Sequence, residues 1–107
     1  MALGSLGVAS AHESVAPSKV TIKVAEDGLT GKVTSDSKSC VKKRNVTVFK
    51  KKNDKKVGST KTNKRGKWSL DVNNALGSYY AVVSKKTEVK YLHVHVCLPD
   101  ESDSMKA

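Results

Sequence analysis

The sequence predicts an all-β fold, specifically a seven-stranded antiparallel Greek-key β-sandwich. Apolar residues alternate with polar ones in seven short runs, which is the period of a strand with one buried face. Turn-forming pairs such as Asp27-Gly28 and Gly77-Ser78 separate these runs at short intervals. No segment shows a convincing apolar stripe with the 3.6-residue period of an amphipathic helix. Short strands at this spacing are typical of a sandwich or barrel.

The first predicted strand begins at Lys19, from which Val20, Ile22 and Val24 alternate with polar residues. The six that follow are Leu29–Thr34, Asn45–Lys51, Lys56–Thr62, Lys67–Val72, Tyr79–Ser84 and Lys90–Cys97. The third and fourth strands flank a turn at residues 53–54, and consecutive strands joined in this way usually lie side by side. We therefore expect them to form a hairpin.

The same alternation predicts which side chains are buried. Trp68 opens a strand whose next inward residues are Leu70 and Val72, so we expect the indole to lie between two sheets. The other residues expected inside are Val46, Val48, Tyr79, Ala81, Val83, Leu92, Val94 and Val96.

A chain of 107 residues has room for one domain, which we place at residues 19–98. Residues 1–11 carry no charge and end in Ala-Ser-Ala, a pattern typical of signal-peptidase sites. We expect a signal-peptide remnant or a disordered leader there, and a secreted protein. Residues 12–18 are expected to be a linker, and 99–107 a disordered acidic tail. No apolar run approaches the roughly 18 residues of a membrane span.

The two cysteines, Cys40 and Cys97, lie too far apart for a CxxC redox or zinc-ribbon motif. In the oxidising compartment that a secreted protein meets, we expect them to form one disulfide.

Positive charge is concentrated in the middle of the chain. The protein has 20 lysines and arginines against 10 acidic residues, a formal net charge of +10. Thirteen of the basic residues lie between Lys38 and Lys67, where Asp54 is the one acidic residue. The electric field of such a cluster of positive charges raises the local concentration of anions and speeds their association. The residues expected to contact an acidic polymer are Lys42, Lys43, Arg44, Lys50, Lys51, Lys52, Lys55, Lys56, Arg65 and Lys67.

The expected partner is an acidic polysaccharide or another polyanion of the cell surface or matrix. Nucleic acid is disfavoured, because single-strand binders stack bases on exposed aromatic side chains. Here only Phe49, Tyr80 and Tyr91 are left outside the predicted core. The alternative is a structural or adhesion spacer whose charge is incidental, since lysines on exposed strands also discourage edge-to-edge pairing.

The sequence contains no arrangement typical of a catalytic centre. It has neither a G-x-S-x-G nucleophile elbow nor a glycine-rich phosphate loop. We therefore expect no enzymatic activity and no cofactor. His93 and His95 share one face of a strand, a spacing that binds zinc or copper only if a third ligand converges, and Tyr91 and His12 are the only helpers conceivable from the sequence. The two strand histidines are weak candidates, and the sequence assigns no metal site.

Three short patterns carry a family resemblance: Gly31-Lys-Val33, Val46-Thr-Val48 and Gly77-Ser-Tyr79-Tyr-Ala81, with a turn ending in Gly66-Lys-Trp68 between the last two. Over 31–83 the chain resembles the carboxypeptidase-regulatory-like, or transthyretin-like, β-sandwich family. It also resembles short lysine-rich, two-cysteine repeats of secreted bacterial proteins. The resemblance implies a prealbumin-like or Ig-like sandwich that serves as a non-catalytic module for adhesion, spacing or carbohydrate contact.

Overall fold

The computed structural model describes residues 12–25, 27–73 and 75–106. Two 3₁₀ turns, Lys38–Cys40 and Lys52–Asp54, accompany the strands. The strands are β1 (His12–Ala16), β2 (Ser18–Ala25), β3 (Gly28–Ser35), β4 (Asn45–Lys50), β5 (Lys55–Lys61), β6 (Lys67–Asp71), β7 (Ser78–Val83), β8 (Lys86–Lys90), β9 (His93–Cys97), β10 (Asp100–Glu101) and β11 (Met105–Lys106). The described residues include no helix of the length and apolarity needed to cross a membrane. The all-β prediction is confirmed, with eleven strands within the described residues where seven were predicted.

Two open antiparallel sheets form a β-sandwich. One has the order β2–β3–β6, and the other has the order β10–β7–β4–β5 with β11 also paired to β7. Opposite residues on neighbouring strands point to the same side of a sheet, so the register of Val20 with Val33 directs both side chains inward. The predicted β4–β5 hairpin is confirmed, with Lys50 opposite Lys55 at its closed end.

The apolar core lies between these two sheets. Its buried residues are Val20, Ile22, Leu29, Val33, Val46, Val48, Trp68, Ala75, Tyr79, Ala81 and Val83. The predicted burial of Trp68 is confirmed, because the residue is only 4% exposed. A Cβ on Gly31 would collide with the Thr21 carbonyl oxygen and with the Trp68 ring. The close approach of β2, β3 and the indole therefore requires glycine at this position.

A third sheet, of order β1–β9–β8, contributes no residue to that core. Its β1 runs parallel to β9, whereas β8 and β9 form an antiparallel hairpin. The disulfide between Cys40 and Cys97 joins the end of β9 to the 3₁₀ turn before β4, with Cα atoms 5.4 Å apart. This confirms the predicted disulfide. It also fixes the base of the third sheet to the sandwich.

The C-terminal segment 99–107 was expected to be disordered, but its described residues contain two strands. β10 and β11 pair with opposite ends of β7. The Asp100 carboxylate accepts a hydrogen bond from the Val20 amide at 2.8 Å, and Ser102 Oγ accepts one from the Ala81 amide at 2.8 Å. The segment therefore covers the edge of β7 and bonds to both sheets of the sandwich, which protects that edge from pairing with another chain.

Three further expectations differ from the structure. Residues 12–18, expected to be a linker, contain β1 and the first residue of β2, while 1–11 lie outside the described residues. Leu92, expected inside, is 58% exposed because β9 begins only at His93. The residue before Leu92, Tyr91, has φ +56° and belongs to the β8–β9 turn. Val94 and Val96, also expected inside, are half-buried on the third sheet and lie outside the core cluster.

Candidate polyanion-binding surface

A groove of about 720 Å³, here called the first groove, crosses the outer face of the β2–β3–β6 sheet and reaches β5. Threonine and serine side chains lie between its lysines, and none of the described lining residues is acidic. Four lysines line it: Lys23, Lys32, Lys61 and Lys67. The lining therefore combines positive charge with hydroxyl groups, which donate and accept hydrogen bonds.

Strand register explains why these lysines meet. Lys32 of β3 lies opposite Lys67 of β6 on one side and opposite Thr21 of β2 on the other. All three side chains face away from the core, since their neighbours along each strand are buried or half-buried. Like charges directly opposite one another destabilise a sheet. The Lys32–Lys67 pair therefore destabilises the sheet. An anion bound between the two ammonium groups would relieve their repulsion.

A second groove, of about 790 Å³, adjoins the first and shares Asn63 with it. The Asn63 side-chain oxygen accepts hydrogen bonds from the backbone amides of Arg65 and Lys67, at 2.8 and 3.0 Å. These bonds hold the turn that separates β5 from β6. The lysines of the second groove are Lys38, Lys42, Lys43 and Lys64.

The eight lysines of the two grooves have no acidic partner. Within 12–25, 27–73 and 75–106, none of them forms an ion pair, and the Lys86–Glu88 ion pair, with its nitrogen and oxygen 3.9 Å apart, lies on β8. Uncompensated charges in one cleft add their potentials and attract counter-ions. The two grooves therefore form one continuous electropositive surface that turns around the β5–β6 edge.

The predicted contact residues divide into two places. Lys42, Lys43 and Lys67 line the grooves, and Arg65 is exposed in the turn between them. Five others form what we call the tip cluster, at the closed end of the β4–β5 hairpin: Lys50, Lys51, Lys52, Lys55 and Lys56. From Lys55 to Lys61 the strand spans roughly 20 Å. The tip cluster and the groove surface are therefore separate.

Part of the tip cluster is engaged with aromatic side chains. The Phe49 and Tyr80 rings stack with centroids 5.3 Å apart, and the Lys51 ammonium lies 5.7 Å from the centre of the Tyr80 ring. The Tyr80 hydroxyl donates a hydrogen bond to the Asp54 carboxylate at 2.8 Å, which raises the pKa of Tyr80. Stacking on Phe49 therefore covers one face of the Tyr80 ring.

Arg44 was predicted to contact the polymer, and this prediction is wrong. The residue is 0% exposed, and burial lowers the pKa of its guanidinium. Its two terminal nitrogens donate to four oxygens, namely Ser18 Oγ at 2.8 Å and the carbonyls of Cys40, Ser84 and Leu98 at 2.6, 2.8 and 3.1 Å. Arg44 therefore ties four separate segments together beside the disulfide. Its charge is unavailable to a polymer.

The two candidate histidines lie on β9, with ring centroids 6.1 Å apart. His12 occupies the register position beside His93 on β1. No group of three or more candidate metal-ligating side chains converges within the part of the chain that the structure describes.

Sequence reasoning missed five of the eight groove lysines: Lys23, Lys32, Lys38, Lys61 and Lys64. It also missed Trp68 as a groove residue. This tryptophan lines the first groove while its Nε1 is buried and donates to no described partner. The outward positions of Lys23 and Lys32 were readable from strand alternation. Their proximity to Lys67 depends on a register between strands that are distant in sequence.

Comparison of this chain with models of known protein families, with curated proteins and with solved structures finds no match.

Proposed function

We propose that this protein is a secreted, non-catalytic β-sandwich module that binds an acidic polysaccharide, or a similar polyanion of the cell surface or matrix. One observation carries the proposal. The two adjoining grooves gather eight lysines, and among the described residues no acidic side chain lines them and none forms an ion pair with any of the eight. Such a surface favours a ligand with many negative charges.

The form of the surface favours an extended polymer over a small anion. The first groove runs across three strands, and the second continues from it past Asn63 around the sheet edge. Lysine is a flexible point charge that follows an irregular array of sulfates or carboxylates. The threonine and serine hydroxyls in the first groove suit the hydroxyl groups of a sugar chain.

Two further features support this proposal. A disulfide is retained in an oxidising compartment, which agrees with secretion. A sandwich built from strands β2 to β7 together with β10 suits the prealbumin-like or Ig-like Greek-key type. Members of this type commonly serve as binding or spacing modules. The competing function is a structural spacer, and what favours it is the tip cluster, because lysines there protect the end of a hairpin from pairing.

Replacing Lys32 and Lys67 by alanine is expected to weaken heparin binding at least about tenfold at low salt. Each lost contact also reduces the slope of log affinity against log salt by about one. The folded state should survive, since both side chains are exposed and the change removes a like-charge pair. Affinity measured by calorimetry at two salt concentrations gives both quantities.

The matched control is Lys51→Ala with Lys52→Ala, which removes the same charge from the tip cluster. We expect this double variant to bind heparin with an affinity within about threefold of the parent's. The small decrease would come only from the two charges lost from the protein's long-range electric field. Equal losses in both double variants would contradict a groove site. If the parent did not bind heparin at low salt, the proposed polymer binding would be wrong, and the structural spacer would be the function that remains.

A further inference from the structure

The third sheet carries most of the apolar surface that the described part of the protein exposes. Seven large apolar side chains are exposed, and five of them lie on this sheet or at its ends: Val15, Val89, Tyr91, Leu92 and Leu98. Tyr91, at 92%, is the most exposed of the seven. Exposed apolar side chains gathered in one place mark an interaction surface, whereas scattered ones do not.

The register of the third sheet separates an apolar face from a polar one. Val15, Val96 and Thr87 form one row, and the next row consists of Val94 and Val89 with Glu13 at its β1 end. The intervening positions on β8 and β9 carry charged residues and histidines, which face the other way. The valine face meets no residue of the sandwich core.

The hairpin is anchored at its base, whereas the side chains of its turn, Tyr91 and Leu92, are exposed. The disulfide holds Cys97, and the Lys86 ammonium donates to the carbonyls of Ser39 and Lys42, both at 3.2 Å. At the other end, Tyr91 adopts φ +56°, a conformation that bulky residues rarely adopt, and Leu92 follows it. This turn holds an aromatic and an aliphatic side chain outward at the end of an anchored hairpin.

The size of this sheet argues against a second copy of the chain as its occupant. Three strands about 4.8 Å apart, each of five residues rising about 3.3 Å, cover roughly 240 Å². A stable protein interface buries about 800 Å² on each partner. The valine face is therefore too small to hold a dimer together.

The charge of the hairpin favours an anionic lipid surface. The hairpin carries Lys85, Lys86 and Lys90 on or beside β8, against Glu88 on β8 and Glu13 on β1 of the same sheet. Tyrosine is enriched where membranes meet water, because its ring is apolar and its hydroxyl polar. Basic residues next to such a tip gain from the negative potential of anionic headgroups.

We propose that the β8–β9 hairpin docks the protein on an anionic membrane surface. Tyr91 and Leu92 enter the boundary between headgroups and acyl chains, while Lys90, the last residue of β8 before the turn, lies beside the headgroup phosphates. This surface lies on a different sheet from the lysine grooves. The inference therefore goes beyond polymer binding and does not depend on it.

The test is sedimentation with vesicles of phosphatidylglycerol mixed with phosphatidylcholine. Replacing Tyr91 and Leu92 by serine is expected to weaken binding at least about tenfold, because two apolar side chains lose their burial in the membrane. The matched control is Leu76→Ser, which changes a leucine that is 74% exposed outside the third sheet. It should bind vesicles as the parent does, and an unchanged melting temperature verifies folding of both variants.

Heparin binding separates this inference from the polymer site, because the Tyr91→Ser, Leu92→Ser protein should keep the parent's heparin affinity. Three results would overturn the inference: no binding of the parent to these vesicles, undiminished vesicle binding by the double variant, or a loss caused by Lys32→Ala with Lys67→Ala instead. A parent dimer that the double variant dissolves would also overturn it, since the hairpin would then serve self-association.

Discussion

Replacing both Cys40 and Cys97 by alanine is expected to lower the free energy of unfolding by about 4 kcal/mol. The disulfide closes a loop with a sequence separation of 57 residues, and in the chain-entropy model a loop of this length restricts the unfolded chain by that amount. Domains of this size are stable by only about 5 to 15 kcal/mol. Urea unfolding followed by Trp68 fluorescence measures the difference.

Reduction provides the internal control for this prediction. Dithiothreitol should lower the stability of the parent by a similar amount and leave that of the double variant unchanged. The third sheet should be affected first, because Cys97 ties β9 to the sandwich and no residue of β8 or β9 belongs to the core cluster. A double variant as stable as the oxidised parent would contradict the structural role given to this disulfide.

Replacing Arg44 by methionine is expected to destabilise the protein by about 3 kcal/mol or more. Methionine fills a similar length, but the hydrogen bonds to Ser18, Cys40, Ser84 and Leu98 are lost. Leaving buried acceptors without donors costs about 1–3 kcal/mol for each group that water cannot reach. Thermal unfolding and urea titration measure the loss.

Arg44→Lys tests whether the planar guanidinium, and not its charge alone, is required. Lysine has one nitrogen and cannot reach four oxygens in the same geometry, so we expect a loss of about 2 kcal/mol. The matched control is Lys43→Met, an exposed neighbour whose change should cost less than about 0.5 kcal/mol. If Arg44→Met were as stable as the parent, Arg44 would not be holding these segments together.

The sandwich core was predictable because its strands alternate in the sequence. Val46 and Val48 on β4, and Tyr79, Ala81 and Val83 on β7, are buried as predicted. The strands that were missed lack this pattern. β8 reads Lys-Thr-Glu-Val-Lys with one apolar residue, and β1 is paired to a strand about eighty residues away, so neither has a local signal. β10 consists of two acidic residues, Asp100 and Glu101, and it is a strand only because it pairs with β7.

The candidate surface was predictable only as an excess of charge. A count of lysines cannot distinguish Lys43, which lines the second groove, from Arg44, which is buried beside it. That difference arises from the four oxygens that converge on the guanidinium from distant segments. Likewise, Lys32 meets Lys67 only through the β3–β6 register. Non-local pairing decides which charges share a groove.

Chemical-shift mapping with a short heparin oligosaccharide tests the central claim most directly. Lys32, Asn63 and Lys67 line the first groove, so their backbone amides report on it. We expect these three amide signals to shift progressively during the titration at low salt, and the shifts to diminish as salt rises. Shifts confined to the tip cluster, with the three groove amides unmoved, would contradict the proposed site.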